Sequence, residues 1–156
     1  MRKNFWLVKS EPDDYSFEQL RKDGSIGWTG VRNYQARNYM RDQMKLGDGV
    51  LFYHSNAEPP AIMGIAEVSK ESHPDPTQFD SKSDYYDAKS KKDSPTWMMV
   101  DIKFVEAFKR PLTLPELKKA KGLEKMLLLR KGQRLSVMPV SSEEWKRVLA
   151  LAGNEA

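Results

Sequence analysis

The sequence predicts an α+β fold with a strongly curved, mostly mixed β-sheet. About four to six β-prone segments are interspersed with short helical segments, without the regular βαβ alternation of doubly wound folds. The glycine-rich turns also lack the spacing of a dinucleotide-binding loop. At 156 residues, with 39% hydrophobic and 10% aromatic residues, the chain has the size and composition of one domain with one core. We therefore expect a single domain over residues 1–156.

The chain starts with a predicted strand followed by a short helix. Residues 5–8 are apolar and β-prone, which is typical of a buried strand. Ser16, with Gln19 three residues later, fits a helix N-terminus, and Gly24 provides the stop. We expect a short helix between Ser16 and Gly24.

A second helix is predicted after Asn33. Asn33 is a favourable N-cap residue, and apolar side chains recur every four residues at Ala36, Met40 and Met44. We expect this face to pack against the core and the helix to run to about residue 43.

The middle of the chain predicts a hairpin, a long polar excursion and a long strand. Residues 50–53 and 61–68 have the composition of paired strands. Residues 72–94 are polar but carry aromatic rings, which favours an ordered excursion packed against the body over a flexible linker. Residues 97–108 then predict a long strand.

The last third predicts short helices and one extended segment. Pro115 suits the first turn of a short helix, and residues 123–129 predict a second one. An extended segment follows and is expected to stop at Pro139. Ser141 or Ser142 then caps a final helix.

Several classes of function are disfavoured by composition. The chain has no cysteine, which excludes disulfides and thiolate metal ligands, and its two histidines do not form a His-rich site. We therefore expect no metal and no cofactor. No apolar run approaches the roughly 18 residues of a membrane span, and the N-terminal segment lacks a signal-peptide pattern. We expect a soluble, cytoplasmic protein without a membrane partner; the oligomeric state stays open.

The charge balance suits a polyanionic partner. The formal net charge is +4 and the isoelectric point is about 9.2. Cationic side chains that neutralise phosphates release counterions, and that release favours binding to nucleic acid. Arg32, Arg37 and Arg41 are candidates for a phosphate-binding track, although a solvated helix face is an equal alternative for the last two.

Aromatic and short polar side chains coincide at predicted strand ends and at a helix start. Trp28 either stacks on a planar ligand or closes the core. Short polar groups either hydrogen-bond a base edge or serve as turn and cap residues. The candidate ligand-binding residues are Lys9, Ser10, Trp28, Thr29, Arg32, Asn33, Tyr34, Tyr53, His54, Ser55, Asn56, Phe79, Tyr85 and Trp97.

Seven motifs occur in order between about residues 5 and 150: FWLVKSEP (5–12), WTGVRNYQARNYMR (28–41), GDGVLFYHSN (47–56), GIAEV (64–68), QFD with YYD (78–80 and 85–87), PTWMMVDIKF (95–104) and LSVMPVS (135–141). Together they resemble the EVE domain, which belongs to the PUA-like superfamily with the ASCH and YTH domains. The resemblance implies a PUA-like curved mixed sheet or pseudo-barrel flanked by short helices. It also implies a pocket that accepts a modified nucleobase of DNA or RNA.

A comparison with YTH domains, which hold N6-methyladenine in an aromatic cage, implies roles for individual residues. Lys9 and Ser10 resemble the end of the first YTH strand, and Trp28 resembles a cage tryptophan after one inserted glycine. The second YTH cage tryptophan lies in a loop before the late strand, where this chain has Phe79 and Tyr85. The resemblance therefore implies a cage of different composition.

These features favour a non-enzymatic reader of a modified base, with Trp28 stacking on the base. One alternative is an RNA- or nucleotide-processing enzyme that uses His54, Lys9 and Glu11 as acid–base groups. A second alternative is a sensor of a small metabolite. The sequence leaves open whether DNA or RNA is bound and which modification is recognised.

Overall fold

The computed structural model describes residues 3–132 and 134–153, which form six strands, four α-helices and shorter helical turns. The strands are β1 (Phe5–Ser10), β2 (Ser25–Gly27), β3 (Gly49–His54), β4 (Ala61–Pro74), β5 (Met98–Thr113) and β6 (Val137–Val140). The helices are α1 (Phe17–Asp23), α2 (Tyr34–Asn38), α3 (Leu114–Lys119) and α4 (Ser142–Leu151). A π-helical turn (Tyr39–Gln43) extends α2, and 3₁₀ turns cover Pro76–Phe79 and Leu127–Leu129. Among these residues, no helix has the length and apolarity needed to cross a membrane.

All six strands belong to one mixed sheet in the order β2-β5-β4-β3-β1-β6. β1 and β3 are parallel, and the other neighbouring strands are antiparallel. The predicted α+β fold with a mixed sheet is confirmed. Within the described ranges β2 and β6 are edges that do not pair with each other, so the sheet is not closed into a barrel. The pseudo-barrel implied by the resemblance is therefore open.

The parallel pair places two strand ends side by side. Ser10 is the register partner of His54, so β1 and β3 end at the same edge of the sheet. Beyond the strands, the Ser55 amide donates a hydrogen bond to the Ser10 carbonyl oxygen at 3.1 Å. The polar residues that the sequence predicted at two strand ends therefore lie together.

The two N-terminal helices form as predicted from their caps and apolar faces. The side chain of Ser16 accepts a hydrogen bond from the amide of Gln19 at the start of α1. At α2, the Asn33 side chain accepts a hydrogen bond from the Ala36 amide at 2.9 Å. Ala36 and Met40 are fully buried, which confirms the predicted apolar face.

Two predictions in the last third of the chain are wrong. Residues 123–129 contain only the 3₁₀ turn Leu127–Leu129, because the extended backbone of Met126 interrupts a continuous helix. Pro139 lies inside β6 and does not end it. In the part of the chain that the structure describes, β6 is an edge strand that pairs only with β1, and an edge strand tolerates a residue without an N–H donor.

A buried carboxylate joins the start of β3 to β1. Asp48 is 3% exposed. Its Oδ2 accepts hydrogen bonds from Trp6 Nε1 and from the Lys45 amide, both at 2.9 Å, and its Oδ1 accepts one from the Asn4 amide at 3.2 Å. This carboxylate therefore accepts from three donors, and the buried indole N–H of Trp6 would lack an acceptor without it.

Replacement of this carboxylate is expected to destabilise the fold. Asp48→Ala leaves three N–H donors without acceptors, and we expect a loss of roughly 2–4 kcal/mol in the free energy of unfolding. Urea unfolding followed by tryptophan fluorescence measures the change. The matched control is Asp42→Ala, because Asp42 is exposed and pairs with its neighbour Arg41; it should change stability by less than about 0.5 kcal/mol. Equal losses in the two variants would contradict the role of Asp48.

Candidate functional site

A cavity of about 480 Å³ opens where β1 and β3 end, beside the loop that follows β2. Its volume lies within the range of about 300–1,000 Å³ that is typical of small-molecule sites. Four segments line it: residues 9–11, 14–15, 26–31 and 134–136, together with Ser55 and Tyr85. The site is therefore built by segments that are distant in sequence.

Six of the predicted binding residues line this cavity: Lys9, Ser10, Trp28, Thr29, Ser55 and Tyr85. Lys9, Ser10 and Ser55 come from the adjacent ends of β1 and β3. Trp28 and Thr29 come from the loop after β2, and Tyr85 comes from the long excursion. The structure thus brings an aromatic and a polar group together, as the strand-end reasoning predicted, while the binding roles of these residues stay predictions.

The Trp28 ring is part of the core as well as part of the cavity wall. It is 8% exposed. It makes T-shaped contacts with the rings of Tyr15 and Phe52, with centroid distances of 6.4 and 5.5 Å. Its amide donates a hydrogen bond to the Val100 carbonyl oxygen at 2.9 Å. The core-closing role of Trp28 is therefore observed, since most of the ring surface is used for packing, and the stacking role stays a prediction.

Lys9 and Ser10 line the cavity with a donor and an acceptor. Ser10 Oγ donates a hydrogen bond to the Tyr15 carbonyl oxygen at 2.7 Å, so the hydroxyl keeps its lone pairs as acceptors. The Lys9 ammonium is a donor only, and burial lowers its pKa from the ordinary value. A ligand that presents an N–H group beside an acceptor atom suits this pair.

Gly30 allows the Tyr85 ring to form a wall of the cavity. Gly30 has a φ of +84°, a left-handed conformation that favours glycine. A Cβ atom at this position would lie 2.7 Å from atoms of the Tyr85 ring. Its amide also donates a hydrogen bond to Asp75 Oδ2 at 2.8 Å. A side chain at position 30 would therefore displace the ring.

Arg32 does not line the cavity, and its guanidinium group holds the excursion in place. Nε and Nη2 donate hydrogen bonds to the Tyr85 carbonyl oxygen at 3.1 and 2.7 Å. Nη1 pairs with Asp75 Oδ2 at 3.1 Å, and Nη2 also contacts Thr77 Oγ1 at 3.1 Å. The predicted phosphate-binding role for Arg32 is therefore not supported by the geometry, because these protein acceptors occupy its donors.

Trp97 also lies outside the cavity and secures the other end of the excursion. It is 5% exposed, and its Nε1 donates a hydrogen bond to Asp87 Oδ2 at 2.8 Å. The fully buried Gln78 side chain accepts a hydrogen bond from the Trp97 amide at 2.9 Å and donates one to the Trp97 carbonyl oxygen at 2.7 Å. The excursion is thus ordered and packed, as predicted, and Trp97 serves that packing.

The surroundings of His54 and Tyr53 do not favour the predicted ligand role. His54 Nε2 accepts a hydrogen bond from the Phe17 amide at 3.0 Å, which requires an unprotonated Nε2, and burial lowers the pKa of His54. Tyr53 is 4% exposed in the core, and burial raises the pKa of its phenol. Neither side chain lines the cavity.

The other predicted residues are also placed outside the cavity. Asn33 caps α2, and the exposed Asn56 donates a hydrogen bond from Nδ2 to Glu11 Oε1 at 2.6 Å. Phe79 is half-buried in a 3₁₀ turn, and Tyr34 is exposed next to Trp97. Asn33 has the cap role that its residue type indicates, whereas the other three have local partners or positions that the residue type alone does not reveal.

Comparison with known proteins identifies the family. Residues 4–151 match the model of the EVE domain. The chain belongs to the EVE domain family. Thymocyte nuclear protein 1 of Gallus gallus is 45% identical, over 94% of this chain and 67% of that protein.

Solved structures of other EVE-like proteins superpose closely on this chain. A Pseudomonas syringae protein is 48% identical with a TM-score of 0.91, over 95% of this chain and 99% of that one. Human THYN1, crystallised in complex with DNA containing 5-methylcytosine, is 42% identical with a TM-score of 0.90. That alignment covers 99% of this chain and 100% of the human one.

Several residues that line the cavity of this EVE domain were not predicted as ligands. They come from the turn after β1, from β2 and the loop after it, and from the segment before β6: Glu11, Asp14, Tyr15, Ile26, Gly27, Gly30, Val31, Arg134, Leu135 and Ser136. The motifs that carry the family resemblance contain several of them, including Leu135 and Ser136. Tyr15 has no such signal, because it follows a turn whose direction depends on the tertiary structure.

Asp75 joins the loop after β2 to the excursion. It is 1% exposed, and burial by itself would raise its pKa. Hydrogen bonds from the Thr77 side chain, the Gly30 and Thr77 amides and Arg32 outweigh burial and lower the pKa below its ordinary value. The ionised form therefore stabilises the EVE domain, and the cavity wall at Tyr85 depends on it.

The stabilisation by Asp75 is expected to depend on pH. A lowered folded-state pKa contributes stability that is complete above the unfolded value of about 3.9 and is lost as the pH falls through the folded value. Asp75→Asn should therefore cost roughly 2 kcal/mol in unfolding free energy at pH 7 and distinctly less at pH 3. Denaturant unfolding at the two pH values measures this difference.

The control for this comparison is Asp80→Asn, an exposed residue of the same excursion. It should leave the unfolding free energy within about 0.5 kcal/mol of the parent protein. A cost of Asp75→Asn that stays constant between pH 7 and pH 3 would contradict the role of the ionised carboxylate.

Proposed function

We propose that this EVE domain is a non-enzymatic module that binds nucleic acid and recognises a modified base of DNA. The observation that carries the proposal is the cavity of about 480 Å³ with aromatic walls and polar strand ends, in a chain so similar to human THYN1. The structure of that protein in complex with 5-methylcytosine DNA supports the same class of ligand. The base occupies the cavity, and the rest of the strand lies outside.

The lining groups suit the edge of a modified cytosine. The exocyclic amino group of cytosine is a donor, and the Ser10 hydroxyl has acceptor lone pairs to receive it. The Lys9 ammonium donates to the acceptor atoms of the base. The Trp28 and Tyr85 rings provide aromatic surface for the base and its methyl group.

A base must leave its stack to enter such a cavity. Extrusion from a duplex costs a few kcal/mol and is cheapest for unpaired or damaged bases. The net charge of +4 favours the phosphate backbone in general but does not select a sequence. We therefore expect stronger binding to unpaired than to fully paired strands.

The geometry gives the alternative of a processing enzyme less support than binding. His54 does not line the cavity, and its Nε2 accepts a hydrogen bond from the Phe17 amide. Glu11 accepts a hydrogen bond from the side-chain amide of Asn56. Lys9 and Glu11 line the cavity. Of the three proposed acid–base groups, only Lys9 has no such hydrogen-bond partner for its side chain among the described residues. Binding is therefore the better reading of the site.

RNA binding, metabolite sensing and cytoplasmic location stay predictions. An RNA strand with the same modified base offers the same base edge, so it is a comparison arm in any binding experiment. Competition by the free modified nucleoside tests the metabolite alternative. Microscopy of a tagged protein tests the location.

The proposal predicts a preference that depends on the open cavity. We expect an unpaired oligonucleotide with one 5-methylcytosine to bind roughly four- to tenfold more tightly than the same strand with cytosine, because one apolar methyl group is buried. Ser55→Leu places a larger side chain at the cavity wall and should abolish the preference. Fluorescence anisotropy at stated salt measures both affinities, and the weak salt-dependent binding should persist.

The matched control is Ser81→Leu, which makes the same change at an exposed position of the excursion. This variant should keep the full preference for the methylated strand. Equal affinities of the parent protein for the two strands, or a preference that survives in Ser55→Leu, would contradict recognition in the cavity.

A further inference from the structure

A row of contacting side chains leads from the cavity wall to an exposed tyrosine. We call this row, which consists of Tyr85, Arg32, Trp97 and Tyr34, the ladder. The Arg32 Cζ atom lies 5.5 Å from the centroid of the Tyr85 ring and 5.1 Å from that of Trp97. Trp97 stacks on Tyr34 with ring centroids 4.9 Å apart and an interplanar angle of 25°. Tyr34, 60% exposed, ends the ladder outside the cavity.

One face of Tyr34 is open to solvent. The Arg37 Cζ atom lies 4.9 Å from the Tyr34 centroid and 5.9 Å from the Trp97 centroid. A guanidinium group on the far face of Tyr34 would be much further from Trp97. Arg37 therefore lies beside the stacked pair and on the side of Trp97, and the opposite face of Tyr34 is uncovered.

The charge of Arg37 is not neutralised by a direct ion pair. It donates hydrogen bonds to the Thr96 carbonyl oxygen at 2.8 Å and to Asn38 Oδ1 at 2.9 and 3.1 Å. Within the described ranges no carboxylate lies within ion-pair distance of it, in contrast to Arg32, which pairs with Asp75. These bonds use three of the five N–H donors of Arg37, whereas the bonds of Arg32 use all five, so Arg37 keeps donors for an anionic group next to the open ring.

We propose that the open face of Tyr34 is a stacking platform for a base that neighbours the modified one on an unpaired strand, with Arg37 facing the adjoining phosphate. This inference rests on the proposed function, because it needs a strand that enters the cavity. Every base has a π-face, so the platform adds affinity without selecting a sequence. The cavity selects the base.

The distance from the cavity wall at Tyr85 to Tyr34 is short enough for one strand to reach both the cavity and Tyr34. Three steps of 5.5, 5.1 and 4.9 Å join Tyr85 to Tyr34. At about 3.4 Å per base step, the ladder spans no more than roughly five steps of a strand. The base on Tyr34 is therefore a near neighbour of the base in the cavity.

The test is binding of Tyr34 variants to unpaired oligonucleotides with and without one 5-methylcytosine. Tyr34→Ala should weaken both complexes about tenfold by anisotropy and leave the ratio of their affinities unchanged. Tyr34→Trp and Tyr34→Phe should retain the affinity, because they keep a ring, whereas Tyr34→Leu should lose it. Leu46→Ala, at a 66% exposed position, is the control and should change neither affinity.

An abasic scan locates the stacked nucleotide. An abasic sugar is placed in turn at each position near the 5-methylcytosine. At one position it should remove the difference in affinity between the parent protein and Tyr34→Ala. Melting temperatures of all variants should stay within about 2 °C of the parent, since the side chain is exposed. Unchanged affinity of Tyr34→Ala, or equal coupling at every position, would overturn the platform.

The two proposals fail separately. A parent protein that prefers the methylated strand but is insensitive to Tyr34→Ala retains the cavity function and loses the platform. A parent protein without the preference, whose binding to both strands still depends on an aromatic residue at position 34, loses base recognition and retains the stacking contact.

Discussion

The parallel pairing of β1 with β3, in a sheet whose other neighbours are antiparallel, is the constraint on which the site depends. Parallel strands cannot be joined by a tight turn and need a long crossover. Here the crossover consists of residues 11–48 and contains α1, β2 and α2. It brings the loop after β2 to the edge where β1 and β3 end. The cavity is therefore a consequence of how β1 and β3 are connected.

Buried polar contacts then attach the long excursion to that crossover. Asp75 accepts a hydrogen bond from the Gly30 amide and pairs with Arg32. The Gln78 side chain accepts a hydrogen bond from the Trp97 amide and donates one to the Trp97 carbonyl oxygen. Asp75, Gln78 and Trp97 are buried, so leaving any of them without its partner would be costly. This cost keeps the excursion in one position. As a result, the Tyr85 ring closes the cavity on one side and Trp97 supports Tyr34 on the other.

The proposed division of roles follows from the different surroundings of these rings. Trp28 is almost buried and lines the cavity beside polar strand ends, which suits the choice of one base. Tyr34 is open to solvent and has a cation beside it, which suits any base and its phosphate. Selectivity and affinity would then come from separate surfaces that one ladder of contacts connects.

The sequence by itself determined the local elements and part of the site. Caps such as Asn33 act within a few residues, and alternating apolar patterns indicate which face is buried, so most strands and helices were predictable. Ser10 and Trp28 were found because strand ends concentrate polar groups and rings at one edge of a sheet. Only the tertiary structure decided the role of Arg32, whose carboxylate partner lies 43 residues away, and that of Tyr15, which reaches the cavity through a turn. A residue type specifies what a side chain can bind; the partner that folding brings to it decides whether that capacity is left for a ligand.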